Sequence, residues 1–263
     1  DMNPRRIAIV TGSATGVGAA TALMLAERGF DLVINYSRSA TEAQASEAAC
    51  RAVGADTLLV QADVADDAQC RSLVQAAVAR WGGIDALVNN AGVSSFTGAS
   101  NWDAVDGQAF QRLLAVNTVG AFQMVRACEP YLRASGDGAI VNVSSIAGAL
   151  GIGSSVPYIA SKGALNALTL YFARELAPEI RVNAVCPGMI TTRWFVDGLG
   201  QNAFDAIKSH VEKTTPLARA CTPQDVADAI VWLITGARTV TGECMLLDSG
   251  LHLGAKVQVP ARQ

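Results

Sequence analysis

RIAIVTGSATGVG, residues 6 to 18, is the stretch on which the fold turns. Its first six residues are an apolar, β-branched run of strand length, too short for a helix and too continuous for a strand with a wet face. Glycines then follow at positions 12, 16 and 18, and the chain passes directly into an amphipathic stretch over 17–28. Glycines at such a turn let the backbone approach a phosphate, and the opening helix turns free N–H groups and a positive dipole end toward it. A strand, a glycine turn and a helix in that order predict a phosphate-cradling βαβ unit, in which Gly12, Ser13, Thr15, Gly16, Val17 and Gly18 are the candidate contacts.

The same alternation repeats outward from this unit. Strands are predicted at 31–36, 57–61, 84–89, 139–144 and 180–185, with a last one near 244–247. Helices are predicted at 41–53, 66–81, 157–177 and 223–235, and two helical stretches share 108–134 with Asn117 near their junction. Strand and helix in alternation predict a parallel sheet with helices on both faces, a Rossmann-type doubly wound α/β fold of about seven strands. No shift in composition marks a second domain, so residues 1–263 are read as one dinucleotide-binding and catalytic domain.

Composition narrows the function. Hydrophobic residues make up 51% and charged ones 16%, which implies much buried surface, either within a doubly covered sheet or between subunits. No run of about 18 apolar residues free of charge and turn signals is present, so no membrane span is expected. A net charge of −3 offers no basic field for nucleic acid. Six scattered cysteines without C-x-x-C spacing, and only His210 and His252, give no metal site. The N-terminal residues lack a signal-peptide layout, and the expected location is cytoplasmic.

Cofactor choice is written at the end of the second strand. NAD sites place a carboxylate there, about 20 residues past the glycine turn, for the ribose 2′-hydroxyl. This chain has Asn35-Tyr36-Ser37-Arg38 instead. Ser37 can donate to a 2′-phosphate and Arg38 can pair with it, so NADP(H) is favoured and NAD(H) stays possible. The plainer reading leaves Arg38 a solvated turn residue.

Tyr158 and Lys162, four apart at the start of a predicted helix, share one face. A phenol ordinarily ionises near pH 10, and a neighbouring ammonium would lower that value toward useful acid–base range. Ser145, thirteen residues before the tyrosine and at a strand's carboxyl end, falls where ligands bind in doubly wound sheets and could hold a substrate oxygen. Asn117, at a helical break, could offer its side chain or carbonyl to a water leading to Lys162. A Y-x-x-x-K pair alone is common and usually superficial.

Taken in order, these residues resemble the short-chain dehydrogenase/reductase family, in its branch of about 250-residue subunits. The likeness runs from Arg6 to about Gly250 and rests on TGSATGVG (11–18), Asp63-Val64, Asn89-Asn90-Ala91-Gly92, Asn117, Ser145, Tyr158, Lys162 and the stretch PGMITT (187–192). It implies an oxidoreductase that moves a hydride between nicotinamide and a carbonyl or secondary alcohol. By that resemblance Tyr158 is the general acid/base, and Ser145 positions the carbonyl. Lys162 tunes the phenol and holds the nicotinamide ribose, and Asn117 supports a relay water. Asp63 and Val64 would touch adenine, while Asn89, Ala91 and Gly92 would pass along the cofactor. Ile190 and Thr192 would touch the nicotinamide carboxamide or a phosphate, and Pro187 and Gly188 would also meet the cofactor. Ser145 is preferred to Ser144 by its distance from the tyrosine.

Three departures stand out. Thr15 occupies the loop position where NADP-dependent relatives carry a basic residue, Asp248-Ser249-Gly250 replaces the usual D-G-G with an expected minor packing change, and residues 94–108, with Trp102, are long enough to reshape the pocket rim. The segment from 193 to about 216 reads either as an apolar substrate lid, with Gly198 and Gly200 as hinges, or as an ordinary amphipathic helix. The chain is similar in overall flavour to 3-oxoacyl-(carrier-protein) reductases. Only Arg174 matches their basic docking positions; the other falls at Gly136, near Arg133, so a carrier-protein partner is weakly supported beside a free small-molecule carbonyl or alcohol. Cys186 reads as a packing residue or a reactive thiol. Rival readings are a non-enzymatic NADP-binding redox sensor and a nucleotide-sugar epimerase or dehydratase; for the latter, only about 75 residues follow Gly188. A homotetramer, or a dimer, is expected from the resemblance and from the apolar girth of helix 157–177, with Leu165, Leu168, Leu170 and Phe172.

Overall fold

The computed structural model describes residues 5–97 and 101–254. Seven strands form one sheet of order β3-β2-β1-β4-β5-β6-β7, every pair parallel. They are β1 (Arg6–Val10), β2 (Phe30–Tyr36), β3 (Thr57–Gln61), β4 (Ala86–Asn89), β5 (Gly138–Val143), β6 (Ile180–Pro187) and β7 (Cys244–Leu247). The helices are α1 (Gly16–Glu27), α2 (Ala40–Ala52), α3 (Asp67–Trp81), α4 (Gly107–Leu114), α5 (Ala121–Ser135), α6 (Ile146–Leu150), α7 (Val156–Glu175), α8 (Arg193–Leu199), α9 (Gln201–Thr214) and α10 (Pro223–Thr235).

The unbroken apolar strands follow from burial on both faces. Along β1, Ala8 and Val10 enter one core with α1 and α10, while Ile9 enters a second core with α3 and α5. Leu32 and Ile34 of β2 join the first core and Val33 the second. Each strand thus feeds two layers through its alternating side chains.

Local chemistry explains the helix starts. Asp66 caps α3 by accepting from Ala68 and Gln69 N–H (2.9 and 3.1 Å). Thr222 and Asp225 form a reciprocal capping box on α10, with Pro223 in its first turn. Ser155 caps α7 ahead of Pro157. Residues 108–134 hold no break: α4 runs on into α5 through one π-wound stretch, Ala115–Gly120, which contains Asn117. In the replaced D-G-G, Ser249 adopts a left-handed backbone (φ 57°), so the change is a conformational cost as well as a packing one. Among the described residues no helix is long and apolar enough to cross a membrane.

Because β1 lies between β2 and β4, the chain reverses direction across the sheet there, and the carboxyl ends of β1 and β4 open a crevice between their loops.

Candidate active site

The crevice begins at the glycine turn, which its neighbours stitch in place. Thr11 Oγ1 accepts from Asn90 and Ala91 N–H, both at 3.0 Å, and Asn90 Nδ2 donates to the Thr11 and Gly12 carbonyls at 2.9 Å. From the other side, Asn35 Oδ1 accepts from Gly12 N–H (3.0 Å), and its Nδ2 reaches the carbonyl of Ala62 (3.1 Å). Asn35 therefore joins β1, β2 and the end of β3, a role for which the sequence offered only the absence of a carboxylate. Gly12 (φ 63°) lies so close to β4 that a Cβ would stand 2.9 Å from Ala91 Cα. No side chain caps the first turn of α1, and no acid stands in it, so its N–H groups remain available to an anion.

A cleft of about 1040 Å³ runs from this turn. At one end it is lined by Ser37, Arg38, Asp63 and Val64, and along its floor by Gly12, Thr15, Gly16, Val17, Ala91 and Gly92. Beyond these come Ser145, Tyr158, Lys162, Pro187, Gly188, Ile190 and Thr192. Gly16 and Thr192 meet across it, since a Cβ on Gly16 would stand 3.6 Å from Thr192 Cγ2.

Asn117 does not line the cleft, and neither do three of the cofactor candidates. Ser13 is fully buried, its hydroxyl donating to Val10 O (2.7 Å) and accepting from Asn35 N–H (3.0 Å). Gly18 faces the turn from behind; a Cβ there would stand 2.4 Å from Gly12 O. Asn89 is buried between strands, donating to Asn142 Oδ1 at 2.9 Å. All three shape the cradle from beneath it, and Asn90, unselected from sequence, lines it in place of Asn89.

At the far end, Ser144 and Ser145 take separate tasks. Ser144 Oγ donates to Lys162 O (3.2 Å), whereas Ser145 caps α6 and stands near enough to the Tyr158 phenol to favour its ionised form. The spacing of these groups is set by helix contact. Gly148 of α6 presses on α7 so closely that a Cβ would fall 2.4 Å from the Lys162 carbonyl carbon. Lys162 Nζ donates to Val143 O at 2.8 Å and sits 5.8 Å from the centroid of the Tyr158 ring. Gly92 passes beside both partners, its notional Cβ 3.6 Å from Lys162 Nζ and 3.4 Å from Asn117 Oδ1.

Electrostatics here depart from the sequence expectation. Burial pushes the Tyr158 phenol up to about 12, against a weaker downward pull from the Ser145 hydrogen bond. Burial likewise pushes Lys162 down to about 8. Burial sets the direction of the phenol, and Lys162 is not among the groups that shift it. The Asn117 side chain is also not free: it accepts from Val93 N–H (2.8 Å) and donates to Val93 O and Ser161 Oγ (both 2.9 Å). Of the two alternatives for Asn117, the side chain is thus engaged within the protein. Cys186 is fully buried, and its thiol is pushed upward first by hydrogen bonding with Cys244 and then by desolvation, so it is a packing residue.

The segment from 193 onward covers the cleft as two helices, α8 and α9. Gly200 (φ 79°) forms the break between them, whereas Gly198 lies inside α8 under the Phe96 ring and is no hinge. Arg193 at the start of α8 reaches Glu42 of α2 (3.0 Å). Of the long segment 94–108, residues 98–100 lie outside the described part; Phe96 lines the cleft and Trp102 does not.

A crevice at the switch point of a parallel sheet, with a phosphate cradle at one end and a phenol–hydroxyl pair at the other, is the layout of a dinucleotide-using α/β oxidoreductase. Known proteins agree. A family model described as enoyl-(acyl carrier protein) reductase matches residues 12–252. A Streptomyces violaceoruber protein named as ketoacyl reductase 2 of the granaticin polyketide synthase is 40% identical over 94% of this chain and 96% of its own. The 3-oxoacyl-[acyl-carrier-protein] reductase FabG of Staphylococcus aureus is 33% identical over 96% of this chain and all of its own. Among solved structures, one from Burkholderia xenovorans described as a short-chain dehydrogenase/reductase superposes with a TM-score of 0.89 at 40% identity, over 96% of this chain and 100% of that one. Ligand-free aldohexose dehydrogenase from Thermoplasma acidophilum superposes with a TM-score of 0.84 at 28% identity, each chain 98% covered. The chain belongs to the short-chain dehydrogenase/reductase family and is an oxidoreductase that uses a nicotinamide cofactor.

Proposed function

We propose that this enzyme reduces a ketone, or oxidises the corresponding secondary alcohol, with NADP(H), through Tyr158, Ser145, Lys162 and Asn117. The observation that carries the reading is a single cleft lined by Tyr158, Ser145 and Lys162 at one end and by the glycine turn and Arg38 at the other.

The residues present fit the cofactor. The close approach of Gly12 to Ala91 leaves flat backbone where a pyrophosphate would lie, beside the uncapped first turn of α1. Arg38 is exposed on the cleft wall and makes no ion pair or side-chain hydrogen bond among the described residues, which suits it to a 2′-phosphate. Glu42, the acid nearest in sequence, is engaged by Arg193. Bound there, the nicotinamide would give or take the hydride.

The chain itself handles the proton. Raised to about 12, Tyr158 keeps its proton through the neutral range and can act as an acid toward a carbonyl oxygen. Ser145 donates to the same oxygen and orients it. Lys162, an ammonium below about pH 8, holds the nicotinamide ribose and stabilises the tyrosinate left by proton transfer. The Asn117 carbonyl supports the water that returns the proton.

A free small-molecule carbonyl suits the surface better than a carrier protein. Arg174 pairs with Glu175, and Arg133 with Glu129 and Glu179, so neither offers an unopposed positive charge to an acidic partner. We also read the chain as one catalytic domain with residues 193–216 as its lid, acting as a cytoplasmic homotetramer or dimer.

Oxidation of NADPH and of NADH, run separately against ketones, diketones and 3-oxoacyl esters, tests the reading. Turnover is expected with NADPH on at least one class. Tyr158→Phe is expected to lose about 100- to 10,000-fold in kcat while still binding NADPH; unchanged turnover would overturn the assignment.

A further inference from the structure

The substrate end of the cleft has an aromatic wall that the proton chemistry does not use. Trp194 of α8 lines the cleft with its ring centroid 6.2 Å from that of Tyr158, at an interplanar angle of 48°. Two further rings fix the indole edge-on: Phe96 at 5.2 Å and Phe195 at 5.0 Å, themselves 6.1 Å apart. The lid helix is notched to admit this cluster. At Gly198 a Cβ would stand 2.1 Å from the Phe96 ring, so α8 can carry the triad only with glycine there. With its neighbours in place, Trp194 is still 38% exposed, open along the cleft. The charges of the same helix are turned elsewhere, Arg193 pairing with Glu42 and Asp197.

From this arrangement we infer that the preferred substrate is a ketone whose carbonyl is borne by a planar aromatic ring system, and that Trp194 is the residue selecting it. The inference rests on the proposed role of Tyr158 and Ser145 in holding the carbonyl oxygen. An oxygen held at the Tyr158 hydroxyl places the adjoining carbon skeleton beside the indole, because the two side chains pack as neighbours. A pre-fixed indole gives a planar π-surface an offset or edge contact beyond simple area burial, while a linear alkyl chain gains the area alone and loses rotamer freedom. The indole is already immobilised by Phe96 and Phe195, so its ordering cost does not fall on binding.

The test compares acetonaphthone with a linear methyl ketone of equal carbon number, with NADPH, in the wild type, Trp194→Ala and Trp194→Phe. The wild type is expected to favour the aryl ketone in kcat/KM by about fivefold or more, a size set by aromatic pairing. Trp194→Ala is expected to bring the ratio close to one, and Trp194→Phe to retain most of it, with NADPH affinity unchanged in both. A wild type that favours the linear ketone, or a ratio that survives in Trp194→Ala, overturns the inference while leaving the reductase reading intact. If neither ketone reacts, calorimetric binding to the NADPH complex decides. Aryl-ketone binding lost in Trp194→Ala then supports the wall although the reaction reading fails, and binding indifferent to the substitution, or absent, overturns it. Both variants sit on an exposed lid helix, and matching thermal melts exclude unfolding as the cause.

Discussion

At the scale of single residues, Lys162 and Tyr158 bear on stability in opposite senses as pH rises. Its ammonium is buried and held down to about 8, so the folded state releases a proton more readily than the unfolded chain, whose lysines ionise near 10.4. The burial cost is therefore full below about pH 8 and falls away between there and about 10.4. Tyr158, raised to about 12, works against stability only above about pH 10, where the unfolded phenol ionises and the folded one does not. Stability is expected to climb between about pH 8 and pH 10, and Lys162→Met is expected to abolish that climb while raising the urea midpoint near pH 7. Equal slopes in the two proteins would contradict the assignment. The sequence made the positions of Tyr158, Lys162 and Ser145 legible, because spacing on one helix and a strand end suffice to bring them together. It could not give the sign of the phenol shift, which depends on how deeply both groups are sealed. Nor could it separate Ser13, Gly18 and Asn89, which brace the cradle, from Gly12, Gly16 and Ala91, which line it, since that depends on which side of a turn faces solvent.

Among the elements, the legible ones are those whose ends carry their own chemistry. The strands alternate between two cores, and the capping groups at Asp66, Ser155 and Thr222 mark helix starts in the sequence itself. The π-wound stretch 115–120 carries no such mark. Gly120 there packs where a Cβ would stand 2.8 Å from Val64 Cγ2, a tertiary contact that no local pattern announces. The segment 193–216 was half legible: its apolar content stood out, but Gly198 looked like a hinge and proves to be a packing notch. That difference is testable. Alanine in a helix interior ordinarily gains about 1 kcal/mol over glycine, yet at 198 its Cβ would collide with Phe96. Gly198→Ala is expected to raise KM for the ketone several-fold by displacing Phe96 and the indole it steadies. Adding Phe96→Ala should relieve the collision, so that the two substitutions are non-additive in both melting temperature and KM. Additive effects would show that the notch is incidental.

For the whole molecule, the excess of apolar residues has a visible outlet. Helix α7 buries Leu165, Phe172 and Ala173 against the sheet, while Leu170 and Tyr171 stand 55% and 49% exposed on its outer side. Val119 and Phe122 are exposed as well, and Phe122 stacks on Phe172 at 6.3 Å, which joins the two helices' apolar residues into one surface. An exposed aromatic and aliphatic surface of this kind marks a contact between proteins more often than a solvated face. In a homo-oligomer with two-fold symmetry, such a patch meets its own copy, and a residue near the axis faces itself. Leu170→Arg would then set two like charges into a desolvated interface, whereas on a monomer's surface it would be nearly neutral. Light scattering is expected to find the native enzyme as a tetramer or dimer and the variant as a smaller species with a lower melting temperature. A native monomer at micromolar concentration, or a variant of unchanged mass and stability, would mean that this surface is covered by something other than a second copy of the chain.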